Sequence, residues 1–520
     1  MSLKIAMIGA GSIGFTRRLI ADILTVPELG STHFSLMDIN EHNLSMVHQL
    51  VERDIQANGV AATVTATTDR REALQNADYI ICTIRQGGLD AFAIDIDIPL
   101  KYGIDQCVGD TLCAGGIMYG QRGIPAILDI CRDIRDVAKP NALLLNYSNP
   151  MCMLTWAAIK YGGVRTVGLC HGVQGAQHQI AKCVEHWAKA HHILDEDETV
   201  SRRDIDFVFS GINHQTWCIK ATWQGHDLIP LMHELFTGHP EYPKTEKVRI
   251  DVLKRFGYYS TESNGHLSEY LPWYRKRPSE IMDWIDLSSW INGETGGYLR
   301  VCTEGRTWFE TDFPNWMQEE PKKFTPDVRS DEHGSYIIEA LETGRVYRGH
   351  FNVPNDGYIS NLPDGCIVEV PGYVDRNGIN VPVVGPLPLA CAATCAASVR
   401  VQEMAVEAAI NADVTLLKQA ILHDPLVGAV CNPEEVWQLT DEMLCVQAEW
   451  LPQYVASGAI DDAARRLETA ERLGMRVKTD ATYQGAARIA IKSVDALQAD
   501  AAAARENAQA ADKGKQTHNA

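Results

Sequence analysis

No run of about 18 apolar residues occurs in this 520-residue chain, so no segment reads as a membrane span. The N-terminal "MSLKIAMIGAGSIGF" is apolar over too short a stretch for a signal peptide and has no small-residue cleavage site ahead of its glycines. The cytosol is the expected compartment. Basic charge is scarce as well: 47 Lys and Arg stand against 67 Asp and Glu, a formal net charge of -20, which argues against nucleic acid or anionic membrane as partners. A small-molecule ligand is expected instead. There is no CxxC pair, and the 14 cysteines are scattered singly, so most are expected to be reduced and buried. Cys391 and Cys395 in "LACAATCAASVRV" read as the packing face of a helix. Internal repeats are lacking too.

With 45% hydrophobic and 22% charged residues the composition is that of a folded globular protein, too long for one compact core. Short apolar runs ("KIAMIGA", "HFSLMDI", "YIICTI", "ALLLNYS", "RTVGLC") alternate with segments of helical period over the first 170 residues or so. That alternation predicts a Rossmann-type doubly wound parallel sheet in an α/β fold, with ligands at the C-terminal strand ends. From about residue 200, "RDIDFVFSGINHQTWCIKATW" reads as antiparallel strands, followed by a helical, aromatic-rich stretch. The expected organisation is a nucleotide-binding domain over 1–195, an α+β domain over 196–455 and a helical extension over 456–520, frayed at its polar end.

Gly9, Gly11 and Gly14 have GxGxxG spacing directly after one apolar run and before the helical "TRRLIADIL". In such a motif the first glycine permits a tight turn, the second lets backbone approach a pyrophosphate, and the third lets helix pack on strand. Asp38 ends the next strand, "FSLMD", where a carboxylate accepts hydrogen bonds from ribose hydroxyls and repels a 2'-phosphate. NAD is therefore the expected cofactor. Cys170 and His171 end the strand "RTVGLCHG", and His214, preceded by Asn213, ends "FSGINH". By itself Cys170 reads either as a buried thiol or, with the distant His214, as half of a metal site with open positions.

Together "IGAGSIGF", "MDI", "GDTLCAGGIMYGQRGIP", "LNYSNPM", "VGLCHGVQG", "GINH", "TESNGHLSEYLPWY", "NDGYISNLPDGCIVEVP" and "LHDPLVGAV" resemble glycoside hydrolase family 4, within it the α-galactosidase branch, over about residues 4–455. The resemblance implies a lactate/malate dehydrogenase-like fold, NAD and Mn²⁺ as cofactors, a glycoside substrate, and a homo-oligomer, dimer or tetramer. Its route departs from the two-carboxylate scheme. NAD takes hydride from sugar C3, a base removes the acidified C2 proton as the glycosidic oxygen leaves, water adds, and the hydride returns. The residues matching the family's are Cys170 and His214 for the metal and Asn149 for substrate. Asn213 beside His214 joins the substrate group, and His171 is expected to assist the leaving oxygen. "NGHLSEYLPWY" aligns with the segment that supplies the base, which nominates His266 and Tyr270.

Asp110 reads as part of a sugar loop or as the cap of a glycine turn, and Arg85 as a partner for pyrophosphate or a substrate carboxylate, or as a surface residue. Two departures bear on specificity: Gly172 stands where α-galactosidase members carry Ser, and Cys113-Ala114 where they carry Gly-Pro. They leave an α-glucuronide or α-galacturonide open as substrate beside an unphosphorylated α-galactoside. A 2-hydroxyacid dehydrogenase and a silent NAD sensor are the readings from other classes.

Overall fold

The computed structural model describes residues 3–287, 292–305 and 308–482, and beyond those only scattered positions up to 503. The Ala-rich and polar end of the predicted extension lies mostly outside the described residues. Six parallel strands, β1 (Lys4–Ile8), β2 (His33–Met37), β3 (Thr63–Thr67), β4 (Tyr79–Cys82), β5 (Leu143–Asn146) and β6 (Thr166–Gly168), lie in the order 3-2-1-4-5-6. That is the order of the dinucleotide-binding doubly wound sheet, with its crevice between β1 and β4, where the winding reverses. Alternate residues of the buried strands enter opposite cores: Ile5, Met7, Ile81 and Leu145 face one, Ala6, Ile8, Ile80 and Leu144 the other. Coverage on both faces explains why these segments read as continuous apolar runs.

The second half of the chain continues the same sheet with antiparallel strands. β7 (Ile205–Ile212), β8 (Gln215–Trp223), β9 (His226–Asp227), β10 (Tyr259–Ser260), β11 (Tyr347–Pro354), β12 (Ile367–Asp375) and β13 (Gly378–Asn380) complete thirteen strands among the described residues. β11 joins β6 through the pair Asn352 and Gly168, and β12 joins β7 through Glu369 and Gly211. The hydrogen-bonded sheet therefore runs across residue 195 without a break. Helix Ala459–Arg472 packs on helix Pro433–Val446, with Arg466 paired to Asp441 at 2.7 Å. All cysteines are free, and all but Cys170, Cys302 and Cys445 are buried. Cys391 and Cys395 lie on helix Leu389–Asn411, where the Cys395 thiol donates to the Gln215 carbonyl. Among the described residues no helix is long and apolar enough to cross a membrane.

The glycine turn forms as its spacing predicts, with one correction. Gly9 has φ +87°, and a Cβ there would stand 2.6 Å from the Thr83 carbonyl oxygen, so β1 and β4 approach at this point only because the residue is glycine. A Cβ on Gly11 would meet the Asp38 carboxylate at 2.8 Å. A Cβ on Gly14, by contrast, meets nothing within 4 Å; this glycine does not serve helix-strand packing but keeps an exposed surface of helix Ile13–Leu24 clear. Gly9→Ala is expected to cost at least about 2 kcal/mol, from the left-handed backbone and the clash together. Gly14→Ala is expected to be neutral or slightly stabilising, as alanine is in a helix; comparing the thermal midpoints of the two variants checks the assignment.

Candidate active site

The C-terminal ends of β4, β5 and β6 and the β7–β8 hairpin surround a cavity of about 500 Å³, of the size that binds small molecules. Ser12 and Phe15 line it at the start of the first helix. Ser12 makes no side-chain cap there and the first turn carries no acid, so backbone N–H groups remain available to an anion. Asp38 is fixed at the end of β2, where Oδ2 accepts from Gly11 N–H and Oδ1 from Asn40 N–H, both at 2.8 Å. Open space over Gly14, an uncapped helix start and the oriented Asp38 together fit a dinucleotide.

Cys170, His171, His214, His266, Asp110, Asn149 and Arg85 all line this cavity, so the structure brings together residues up to about 180 positions apart in the chain. His214 is in the two-residue turn between β7 and β8 with φ +65°, a conformation that costs a non-glycine residue about 1–2 kcal/mol. The Thr111 hydroxyl donates to Asp110 Oδ1 at 2.8 Å and accepts from His214 Nδ1 at 2.6 Å. With the proton on Nδ1, the Nε2 lone pair faces Cys170 and Glu262. Glu262 Oε1 lies 3.3 Å from Cys170 Sγ and 3.9 Å from His214 Nε2. Thiol, imidazole and carboxylate in one cluster form a donor set that fits a divalent metal.

Burial, with the negative charges of Glu262 and Glu369, holds the Cys170 thiol well above its ordinary pKa. Burial raises the carboxyl groups of Asp110 and Glu262 as well, but the electrostatic influence of the neighbouring His214 and His266 rings outweighs it and keeps both below the usual range. Asp110 Oδ2 also accepts from the Asn149 side-chain amide at 2.8 Å. Asp110 caps no turn: residues from Cys113 onward form helix Cys113–Val137, and the expected glycine turn is absent. Gly115 and Gly116 are inside that helix, where Cβ atoms would strike Asp95 O and the Thr111 backbone.

His171 stands at the rim with 53% of its side chain exposed, and its Nε2 is 2.7 Å from Glu332, which is 4% exposed. Burial would lower the His171 pKa, but the Glu332 hydrogen bond and charge prevail and raise it. Ser263 Oγ is 2.7 Å from His266 Nδ1, which leaves Nε2 for the cavity, and burial lowers the pKa of this ring. The Arg85 guanidinium lies 4.4 Å from the Phe92 ring, 4.9 Å from Tyr119 and 5.5 Å from Tyr298. Among the described residues it has no carboxylate partner, so its donors are free for a ligand and it is no ordinary surface arginine.

Two expectations are corrected. Tyr270 is fully buried and does not line the cavity. It stacks on His214 with its hydroxyl 3.4 Å from Nδ1, behind the imidazole, away from the open cavity where a base would meet substrate. Asn213 is also outside the cavity, 1% exposed and packed behind the Cys170 thiol, because alternate positions of the hairpin end face opposite ways. Sequence reading does not single out Glu262, Glu332 or Glu269. Glu262 was within reach, since it sits in the quoted "TESNGHLSEY"; Glu332 carries no local signal.

Matches to known proteins agree with this geometry. Residues 4–186 match the model described as family 4 glycosyl hydrolase, and residues 209–427 the model of its C-terminal domain. The alpha-galactosidase of Rhizobium meliloti (strain 1021) is 57% identical over 507 residues, 97% of this chain and 99% of that protein. The chain belongs to glycoside hydrolase family 4. Within the family, the alpha-galactosidase of Bacillus subtilis (strain 168) is 33% identical over 87% of this chain and 99% of that protein. A 6-phospho-alpha-glucosidase from gut microorganisms, solved in complex with NAD and Mn²⁺, has the family fold: TM-score 0.70 at 20% identity, covering 86% of this chain and 99% of that chain.

Glu269 organises the loop that carries Asp110. Its buried carboxylate accepts from the N–H groups of Cys107, Val108 and Gly109 at 2.7, 2.9 and 3.0 Å. Burial nevertheless pushes its pKa up to about 7. Since the folded value exceeds the unfolded one, this group's contribution to stability is complete at acidic pH and is lost as pH rises through about 7. Glu269→Gln, neutral throughout, is expected to show a shallower fall of the thermal midpoint between pH 5 and 8. The fall does not vanish, because Glu369 (about 7) and Asp424 (about 6) are raised in the same way.

Proposed function

We propose that this family member hydrolyses unphosphorylated α-galactosides with NAD and a divalent metal, Mn²⁺ in the family's usual form. The observation that carries the reading is the meeting of a dinucleotide crevice and a Cys170, His214, Glu262 donor cluster in one cavity. The 57% identity to an alpha-galactosidase over nearly the whole chain supports the glycone. When bound, the two cofactors supply reversible hydride acceptance at sugar C3 and charge stabilisation at the neighbouring sugar oxygens.

The chain's own groups account for the remaining work. Gly11, Gly14 and the first helix start receive the dinucleotide phosphates, and Asp38 orients a ribose. Asn149, held by Asp110, and Arg85, held in its aromatic cage, bind sugar or phosphate oxygens. His266, whose Nδ1 is engaged by Ser263, accepts the C2 proton on Nε2. His171, paired with Glu332, donates to the departing glycosidic oxygen. A homo-oligomer acting in the cytosol belongs to the same reading and rests on the family resemblance.

Release of nitrophenol from p-nitrophenyl α-galactoside is expected to need both NAD and Mn²⁺, to proceed without net NADH, and to exceed release from the α-galacturonide. Turnover independent of NAD, or steady NADH accumulation, would overturn the reading. Glu332→Gln and His171→Asn are expected to lower kcat about 100-fold or more on methyl α-galactoside, whose poor leaving group needs a proton. On the nitrophenyl substrate the loss is expected to be much smaller; equal losses on the two substrates would remove His171 from the acid role.

A further inference from the structure

Gly172 departs from the serine expected beside Cys170-His171, and the structure supplies the reason. A Cβ on Gly172 would lie 1.7 Å from Glu262 Oε1. Glycine here admits the Glu262 carboxylate to the metal-binding wall of the cavity, and nothing else in the packing around residue 172 comes as close. Glu262 itself holds φ +71°, the same left-handed region as His214 at +65°, so two strained non-glycine residues aim their side chains at one point. Strain of this kind persists only where the surroundings enforce it.

We propose that the Glu262 carboxylate is a third protein ligand, beside Cys170 and His214, for the divalent metal of this enzyme. The inference rests on the metal-dependent reading above. Donors at right angles on one metal stand roughly 3 Å apart, and Glu262 Oε1 lies 3.3 Å from Cys170 Sγ and 3.9 Å from His214 Nε2 with no ion to draw them in. The chemistry agrees. Thiolate and imidazole alone rank Mn²⁺ last among first-row ions, whereas an added carboxylate oxygen is the donor type that suits it.

A competing trio shares His214 but uses Asp110 and His266. Its other members have different tasks: Asp110 is held by Thr111 and Asn149, and His266 Nε2, left open by Ser263 on Nδ1, is the group assigned above to the substrate proton. Glu262 has no such commitment beyond the Cys170 thiol, whose proton a metal would displace.

The test is Mn²⁺ affinity of the NAD-loaded protein, read by electron paramagnetic resonance of free Mn²⁺, with NAD affinity measured alongside as the check on folding. Glu262→Gln is expected to weaken Mn²⁺ binding at least tenfold, and His266→Asn, which removes a member of the competing trio without touching the Thr111 link to His214, to leave it within about twofold. Gly172→Ser is the second variant: the clash is with the far end of a flexible side chain, so the fold survives while the carboxylate is displaced, and Mn²⁺ affinity is expected to fall with it. Wild-type affinity in Glu262→Gln, or a loss in His266→Asn instead, would overturn the assignment. Cys170→Ser separates the two levels. If it too binds Mn²⁺ as wild type does, the metal reading of the site fails; if it loses the metal while Glu262→Gln keeps it, only the third ligand fails.

Discussion

The contact between the Thr111 hydroxyl and His214 Nδ1, 2.6 Å long, joins two halves of the chain that share no local sequence relation. It fixes the imidazole's tautomer, and through it the direction in which a lone pair is offered to the metal cluster. Thr111 can accept from His214 because it gives its own proton to Asp110, and Asp110 is available because the loop before it hangs from the Glu269 carboxylate. Tyr270 backs the same ring from behind. Cys113, with φ +59°, begins the following helix with its N–H on Asp424, so even the distant "LHDPLVGAV" segment serves this arrangement. The site is a chain of hydrogen bonds in which each acceptor is oriented by a donor bound elsewhere, and such networks lose more than one bond when a member is removed.

Much of the first half was legible because its signals are local. Glycine spacing, the acid at the end of β2 and doubly buried apolar strands each report on a few neighbouring residues, and these features stand where the sequence puts them. Gly14 shows the limit: the spacing was right and the reason was not, since only the fold reveals that its surface faces open space. Cys170 and His214 were readable through the resemblance to the family. Tyr270 and Asn213 were misplaced because being near the right residue in sequence does not say which side of it a side chain takes. Glu262 depends on a positive φ and on a glycine 90 positions earlier, and Glu332 reaches His171 from 161 positions away. No periodicity carries either.

Two joints in the sheet are narrow, each a single residue pair: Gly168 with Asn352, where the parallel part meets the antiparallel strands, and Gly211 with Glu369, where β7 meets β12. Glu369 accepts from Thr216 at 2.5 Å and from Asn352 at 3.3 Å, tying the two junctions together in a fully buried spot. Cys170 lies two residues beyond Gly168 and His214 three beyond Gly211, so each of these two donors follows directly on one of the joints. A small shear there would change their separation before it disturbed either core.

The clearance between Gly172 and Glu262 also ties the two positions to each other. With glutamate at 262, a serine at 172 must push the carboxylate aside, because its hydroxymethyl group and the carboxylate claim the same volume. A shorter side chain at 262 would free that volume, since all three atoms nearest a Cβ at 172 belong to Glu262. Substitutions at the two positions are therefore coupled: the effect of either depends on the side chain at the other.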